Sequence, residues 1–357
     1  MSRCKLEEFI SYEQPAKYIV DNDQYDDSYE TPVLTAGKSF ILGYTDEKNN
    51  IFDDVPVIIF DDFTTSVQFV DFPFKVKSSA MKLLKNTEQA DIKYCYYLLK
   101  YLQHTPENHK RQWLSTTSQK TVELPVIEEQ KNIVKKLDKI LEVIDNQNKQ
   151  LELLDEAIKA RFVEMFGDPI ENQKDWEVVK IRDIVTDVRY GTSKPAVEGG
   201  RYPYLRMNNL TVDGGLDLSD LKYIDIPDNE IEKCVVRKGD ILFNRTNSID
   251  LIGKTAVFNL LDDMVIAGYI IRIRLNNQIL SDVFSQYMNL EAMKKVLRGM
   301  AKGAVNQANI NAQELQSIKV YIPNMELQKQ YVEFKEEIDK SRLLSNHSLF
   351  LIKSIIL

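Results

Sequence analysis

Across residues 127–165 the chain carries no glycine or proline, and apolar side chains return at Val134, Leu137, Leu141, Ile144, Leu151, Ile158, Phe162 and Met165. Spacings of three and four belong to a coiled-coil seam, narrower than the apolar face of a helix lying on a globular core. Asn148 and Asp155 fill the remaining seam positions. A seam asparagine such as Asn148 is expected to fix register at some cost in stability. Pro125 marks the entry, and Gly167, Asp168 and Pro169 make the stop. Such a helix is about 60 Å long at 1.5 Å per residue, too long to be buried in a small domain, so it needs a partner.

A second stripe supplies one. After Pro323, apolar residues at Leu327, Tyr331, Phe334, Ile338, Leu344, Leu351 and Ile355 continue to the C-terminus. The two helices are expected to pair antiparallel, through Val134, Leu137, Leu141, Ile144, Asn148, Leu151 and Ile158 on one and Tyr331, Phe334 and Ile338 on the other. Elsewhere the pattern shortens. Strands are predicted at 32–35, 39–42, 57–60, 68–72 and 121–124, with a helix near 88–103. In the second half they are predicted at 203–206, 240–244, 255–258 and 269–275, with a helix over 282–297. Helices and strands mix without a steady strand–helix–strand alternation, which favours the α+β class.

These patterns occur twice. LPVIEEQKNIVKKLDKIL, from Leu124, returns from Ile322 as IPNMELQKQYVEFKEEID, and Pro125 and Pro323, Gln130 and Gln328, and Ile140 and Ile338 each stand 198 residues apart. KLEEFI from Lys5 resembles KIRDIV from Lys180, and VIIFDDFTT from Val57 resembles DILFNRTNS from Asp240. A period this long marks a duplicated domain-plus-helix unit, not a solenoid. The expected division is a first domain over 1–124, a long helix within 125–168, a second domain over 169–322 and a second helix over 323–357. The second helix stops short of a counterpart to Phe166 and Gly167, and the first half is expected to open directly on its domain, without a leading helix.

Composition adds limits. The chain has 357 residues, 43% apolar and 28% charged, as in ordinary globular proteins of two or three domains. No apolar run approaches the ~18 residues of a membrane span, and the N-terminus lacks a signal peptide's apolar stretch. Cys4, Cys95 and Cys234 are too scattered for a disulfide framework or a zinc site, which fits a reduced cytoplasm. The net charge of −8 argues against coating nucleic acid through the overall field. Charge is uneven, however. Asp21, Asp23, Asp26, Asp27 and Glu30 form an acidic run, whereas Arg189, Lys194, Arg201 and Arg206 meet one acid, Glu198. Lys294, Lys295, Arg298 and Lys302 form another basic cluster, and Lys110 and Arg111 stand beside His109. Local basic surfaces of this kind can hold phosphates.

Catalytic motifs are wanting. Ser248 stands where a phosphate-binding loop ending in Gly253, Lys254 and Thr255 would need its first glycine. No GxGxxG follows a strand, and His104, His109 and His347 lack metal-ligand spacing. Asp53, Asp54, Asp61 and Asp62 read as turn aspartates, and no Ser, His and Asp set presents itself. No cofactor is expected in the chain, which is expected to bind rather than react.

Residues suited to reading a duplex are present. YGTSK places Tyr190, Thr192, Ser193 and Lys194 after Arg189 in a small-residue loop that can approach phosphates. Arg206, Asn208, Asn244, Arg245 and Asn247 offer the guanidinium and amide groups that pair with guanine and adenine edges. Lys302, Gln307 and Asn309 add more. In the first half the candidates are Lys38, Ser39, Tyr44, Thr64, Thr65, Lys110 and Arg111. Where the second copy has NRTN the first has DDFTT, so two modules on one plan are expected to read different half-sites.

LPVIEEQKNIVKKLDKIL, FVEMFGDPIENQKDWEVVKI and GDILFNRTNS resemble the specificity (S) subunit, HsdS, of bacterial type I restriction-modification systems, and YEQPAKYIV and TPVLTAGKSFILGYT resemble one of its target-recognition domains. The resemblance covers nearly the whole chain. It implies two target-recognition domains related by pseudo-two-fold symmetry, each reading half of a split, asymmetric site in double-stranded DNA. Two antiparallel helices would act as a coiled-coil spacer, set the gap and dock two methyltransferase subunits. S-adenosylmethionine, ATP and magnesium would belong to partner methyltransferase and restriction subunits. The chain itself would be non-catalytic, cytoplasmic and free of the membrane. A coiled-coil scaffold that binds only protein, or a recognition fragment fused to a nuclease or methyltransferase, remain the other readings.

Overall fold

The computed structural model describes residues 2–37, 39–106, 111–304 and 307–356. They divide into two compact units, 1–144 and 145–357, the boundary falling inside one continuous helix, Ile127–Phe166.

In the first unit a four-stranded antiparallel sheet runs in the order Ile10–Glu13, Met81–Asn86, Val57–Asp61, Val67–Val70. Its strand VIIFD is buried throughout because the pleat feeds two cores. Ile58 and Phe60 face Trp113, Tyr94 and Leu99, while Val57 and Ile59 face Phe52, Phe74 and Val76. A three-stranded sheet follows the order Ile41–Thr45, Thr31–Leu34, Lys75–Val76, its last pair parallel. Ser2–Lys5 pairs with Thr121–Leu124, and helix Ile92–Tyr101 is capped by the Asp91 carboxylate, which accepts from the N–H groups of Lys93 and Tyr94 at 2.9 Å each.

The second unit repeats much of this plan. Its four-stranded sheet runs Val185–Tyr190, Ile270–Leu275, Ile241–Asn244, Thr255–Val257, again wholly antiparallel. Ile241 and Phe243 face one core and Leu242 the other. Glu177–Lys180 pairs with Lys319–Ile322. A second sheet runs Lys222–Ile224, Tyr202–Leu205, Met264–Ile266, Val235–Val236, and the pair in the place of the first unit's parallel one, Tyr202–Leu205 with Met264–Ile266, is parallel too. Even the small turns match, since the N–H of Lys5 donates to Glu8 and that of Lys180 to Asp183. The helix predicted over 282–297 is two helices, Ser281–Asn289 and Glu291–Met300, with Leu290 extended between them. The Asn289 amide explains the break, for it pairs with both the N–H and the carbonyl of Thr255 on the sheet edge.

Each long helix is fastened to its unit by a buried glutamine. The Gln130 amide donates to the carbonyls of Pro125 and Gln89, at 2.8 and 3.1 Å, and its oxygen accepts from the Asp91 N–H at 2.8 Å. Gln328 does the same with the Pro323 and Gln278 carbonyls and the Leu280 N–H, at 2.8, 3.0 and 2.8 Å. Beyond the clamp the polarity reverses. Lys93 of the docked helix meets Asp138 of the long helix at 2.7 Å, whereas Asp282 meets Lys335 at 3.0 Å.

Within the second unit, helices Ile127–Phe166 and Met325–Ile356 are antiparallel. Phe162 stacks edge-on against Tyr331 at 5.4 Å, Asp155 bonds Arg342 at 3.0 Å, and Gln147 donates to Ser348 at 3.1 Å. Ile158 is buried in this region, Leu151 is half-buried, and Tyr331, Phe334 and Ile338 also turn inward. Four expected positions are corrected. Leu141 and Asn148 point to solvent, as do Leu344 and Leu351, and Gln147 supplies the polar seam contact expected of Asn148. A strict 3.5-residue repeat drifts by about 20° per heptad on a straight helix, so the neighbouring position rotates into the seam. Val134 packs on the first unit's core, as Val332, 198 residues later, packs on the second's, so this part of each stripe serves its own domain.

Candidate nucleic-acid interface

In the second unit the Tyr190–Lys194 segment crosses from one sheet to the other. Gly191 donates to the Ile270 carbonyl at 3.1 Å, Thr192 to the Ile266 carbonyl at 2.9 Å, and Gly268 back to Thr192 at 2.8 Å. A Cβ on Gly191 would lie 2.2 Å from the carbonyl oxygens of Ile266 and Ala267, so only glycine permits the crossing. The crossing opens a cleft of about 610 Å³. Thr192, Ser193, Lys194, Arg206, Asn208 and Arg245 all line it, which gathers six candidates from three distant stretches of sequence. Tyr204 and Tyr269 complete the walls. Both were missed by sequence reasoning. Tyr269 reads as the start of a strand, but it sits exposed in the turn before it, and its only signal was an aromatic after Gly268.

Three cations give the cleft its charge. Lys194 pairs with Glu230 at 2.8 Å, and Arg206 with Asp220 at 2.7 Å, each partner at the rim. The Lys194 ammonium holds the Glu230 carboxyl below the ordinary carboxylate range, as Lys222 and then Arg206 do for Asp220. Arg245 has no carboxylate at ion-pair distance among the described residues. Its guanidinium lies over the Tyr190 ring, 4.9 Å from the centroid, and donates to the Gly268 carbonyl at 3.3 Å. Tyr190 is fixed in turn by the Ala312 N–H, which donates to its hydroxyl at 2.8 Å. The planar fork of Arg245 is therefore held ready for an acceptor edge.

Beside the cleft, Thr246–Asn247 pairs with Gln307–Asn309, which forms a hairpin with Lys302–Ala304. The two amide-rich motifs are thus one structure, joined by a bond from Thr246 to the Asn309 side chain at 2.9 Å. Gln307 and Lys302 are exposed on the hairpin, with Lys302 bound to Glu314 at 2.5 Å. Arg189 is exposed and bonds Asp187, which also holds the buried Arg272. Burial raises the Asp187 carboxyl, and the two arginines more than reverse it.

Some candidates are spent inside the fold. Asn244 is fully buried; its amide donates to the Thr246 and Tyr269 carbonyls and its oxygen accepts from Asn247, so it shapes the loop and cannot meet a base. The Asn247 oxygen is likewise taken by the Ser248 N–H at 2.9 Å. Lys294 is buried, with its ammonium on the Gly253 carbonyl at 2.5 Å, and so leaves the basic surface expected around it.

The first unit gathers less. Thr65 is buried and donates to the His104 carbonyl at 2.6 Å, which removes it as a reader. Asp62 is buried against Lys82 at 3.0 Å and accepts from the Trp113 N–H, so it, like Thr65, is spent inside the fold. Thr64 is exposed and bonds Ser66, Tyr44 borders a shallow apolar hollow with Ile41 and Phe72, and Ser39 and Arg111 stand near or at the surface. Lys38 and Lys110 lie outside the described residues. Among the described residues, no cluster of His, Cys, Asp or Glu is arranged to hold a metal, and no helix is long and apolar enough to cross a membrane.

Comparison with known proteins agrees with this architecture. The family model described as the type I restriction modification DNA specificity domain matches residues 3–156 and again 173–350, one match for each copy. The EcoR124I/EcoR124II specificity subunit of Escherichia coli is 30% identical over 363 residues, covering 94% of this chain and 85% of that subunit. The MjaVIII specificity subunit of Methanocaldococcus jannaschii is 24% identical over 369 residues, with the same two shares. The solved type I S subunit from M. genitalium shares the fold, with a TM-score of 0.60 at 14% identity over 99% of this chain and 93% of that one. With both copies matched and a relative aligned over most of its length, the chain belongs to the specificity subunits of type I restriction-modification systems, and is a DNA sequence-recognition subunit with two recognition domains.

Proposed function

We propose that the cleft of the second unit reads one half of a bipartite, asymmetric site in double-stranded DNA, and that the first unit reads the other half. The convergence of Thr192, Ser193, Lys194, Arg206, Asn208 and Arg245 on one cleft carries this reading. Lys194 and the hydroxyls of Thr192 and Ser193 hold phosphates and set register, while Arg245 and Asn208 approach base edges. On this reading the paired helices are the spacer that sets the gap between the half-sites. Their outward apolar positions, Leu153, Leu343 and Leu344, favour the docking of methyltransferase subunits.

Chemistry then belongs to partners. Methyltransferase subunits bring S-adenosylmethionine, and restriction subunits bring ATP and magnesium; this chain contributes recognition, in the cytoplasm where the DNA is. The test is to co-express the chain with its partner methyltransferase and map methyladenine across the genome. A two-part motif with a constant gap is expected, with binding that weakens steeply as salt rises. Scattered methylation, or affinity indifferent to salt, would overturn the proposal.

A further inference from the structure

Arg342, on the C-terminal helix, is held by three carboxylates from three segments. Its guanidinium meets Asp155 of the antiparallel helix at 3.0 Å, Asp213 of the recognition domain at 3.1 Å, and Asp339 one turn back at 3.4 Å. They border a polar cavity of about 230 Å³. Burial pushes the Asp213 carboxyl up, but bonds from Thr211 and Arg342 outweigh it and hold it below the ordinary carboxylate range.

Asp213 leads to the cleft through a laced turn. Thr211 and Gly215 bond each other at 3.0 and 2.8 Å, and Gly214 has no room for a side chain against Asn289. The turn closes on Asn209, which exchanges bonds with Asp217 at 2.8 Å and accepts from the Arg206 N–H at 2.8 Å. From beneath, the buried Lys254 ammonium donates to the carbonyls of Met207 and Leu210, at 2.7 and 2.5 Å. A chain of short bonds therefore runs from the helix pair to the cleft wall that carries Arg206 and Asn208.

We propose that Arg342 is a positioning residue for the second half-site, locking the wall that bears Arg206 and Asn208 to the helix pair. The proposal rests on the reading that this wall faces DNA. One guanidinium bound by three carboxylates fixes direction as well as distance, which lysine in its place does not reproduce.

The experiment uses the full chain with its partner methyltransferase and reads methylation at every position of both half-sites. Arg342→Met and Asp213→Asn are each expected to relax discrimination in the second half-site by about tenfold, comparable to losing one good base contact. The first half-site is expected to stay unchanged, and Asp213→Glu to restore much of the loss. Equal relaxation in both half-sites, with a lowered melting temperature, would mark Arg342 as a general structural residue and overturn the proposal. Intact discrimination would overturn it also, provided Arg206→Ala, run in parallel, relaxes the second half-site. If Arg206→Ala and Asn208→Ala change nothing there, the DNA reading of the cleft is what fails.

Discussion

At the residue scale, like side chains carry different duties. Asn244 and Arg245 are neighbours in one motif, yet the first is locked under three hydrogen bonds and the second stacks on Tyr190 at the cleft. Arg245→Ala is therefore expected to relax one position of the second half-site, by about 1–3 kcal/mol, and to spare the first. Equal loss in both, read from methylation maps, would refute its role. Lys294 makes a different case. Burial, with Arg298 and Lys254 nearby, pulls its ammonium down to about 7 from the usual 10.5. Between those values the unfolded chain holds the proton and the folded chain does not, so stability rises with pH across this window, and the full penalty stands below it. Lys294→Met should flatten that slope and stabilise the protein most near pH 6. Identical slopes in thermal melts at pH 6 and 9 would count against the assignment.

At the element scale, the reversed ion pairs tie each domain to its own helix. Lys93 opposes Asp138, which also accepts from Tyr97 at 2.5 Å, and Asp282 opposes Lys335. Lys93→Asp sets two carboxylates face to face and is expected to cost about 1 kcal/mol. Adding Asp138→Lys should recover most of it, and a double-mutant cycle without coupling would show the pair to be idle. The long helix was legible from its lack of glycine and proline, and the duplication from motif spacing. The inner seam was not. A heptad names Leu141 and Asn148, but the turn of a straight helix brings Gln147 inward. Nor could local pattern show that the Asn289 side chain would pair with the Thr255 backbone, since that contact joins residues far apart in sequence.

At the scale of the whole molecule, one continuous helix passes from the first compact unit into the second. Inserting four residues near Asn148 adds about 6 Å and just over one turn, so the tolerated gap between half-sites is expected to widen by one or two base pairs. An unchanged gap in the methylation map would refute the spacer role. The cleft's composition was legible in part: YGTSK, RMNN and NRTNS stood out, because loops rich in glycine, amides and hydroxyls show in sequence. Their meeting in space was not, because it depends on the Gly191 crossing between two sheets.

Gln130 and Gln328 grip only main-chain atoms: prolyl carbonyls, and the peptide groups of Gln89 and Asp91 in one copy and of Gln278 and Leu280 in the other. A fastening that takes hold of the backbone is indifferent to the side chains around it. The outer face of each head can then be rewritten, residue by residue, toward a new target while the joint that carries it keeps its shape.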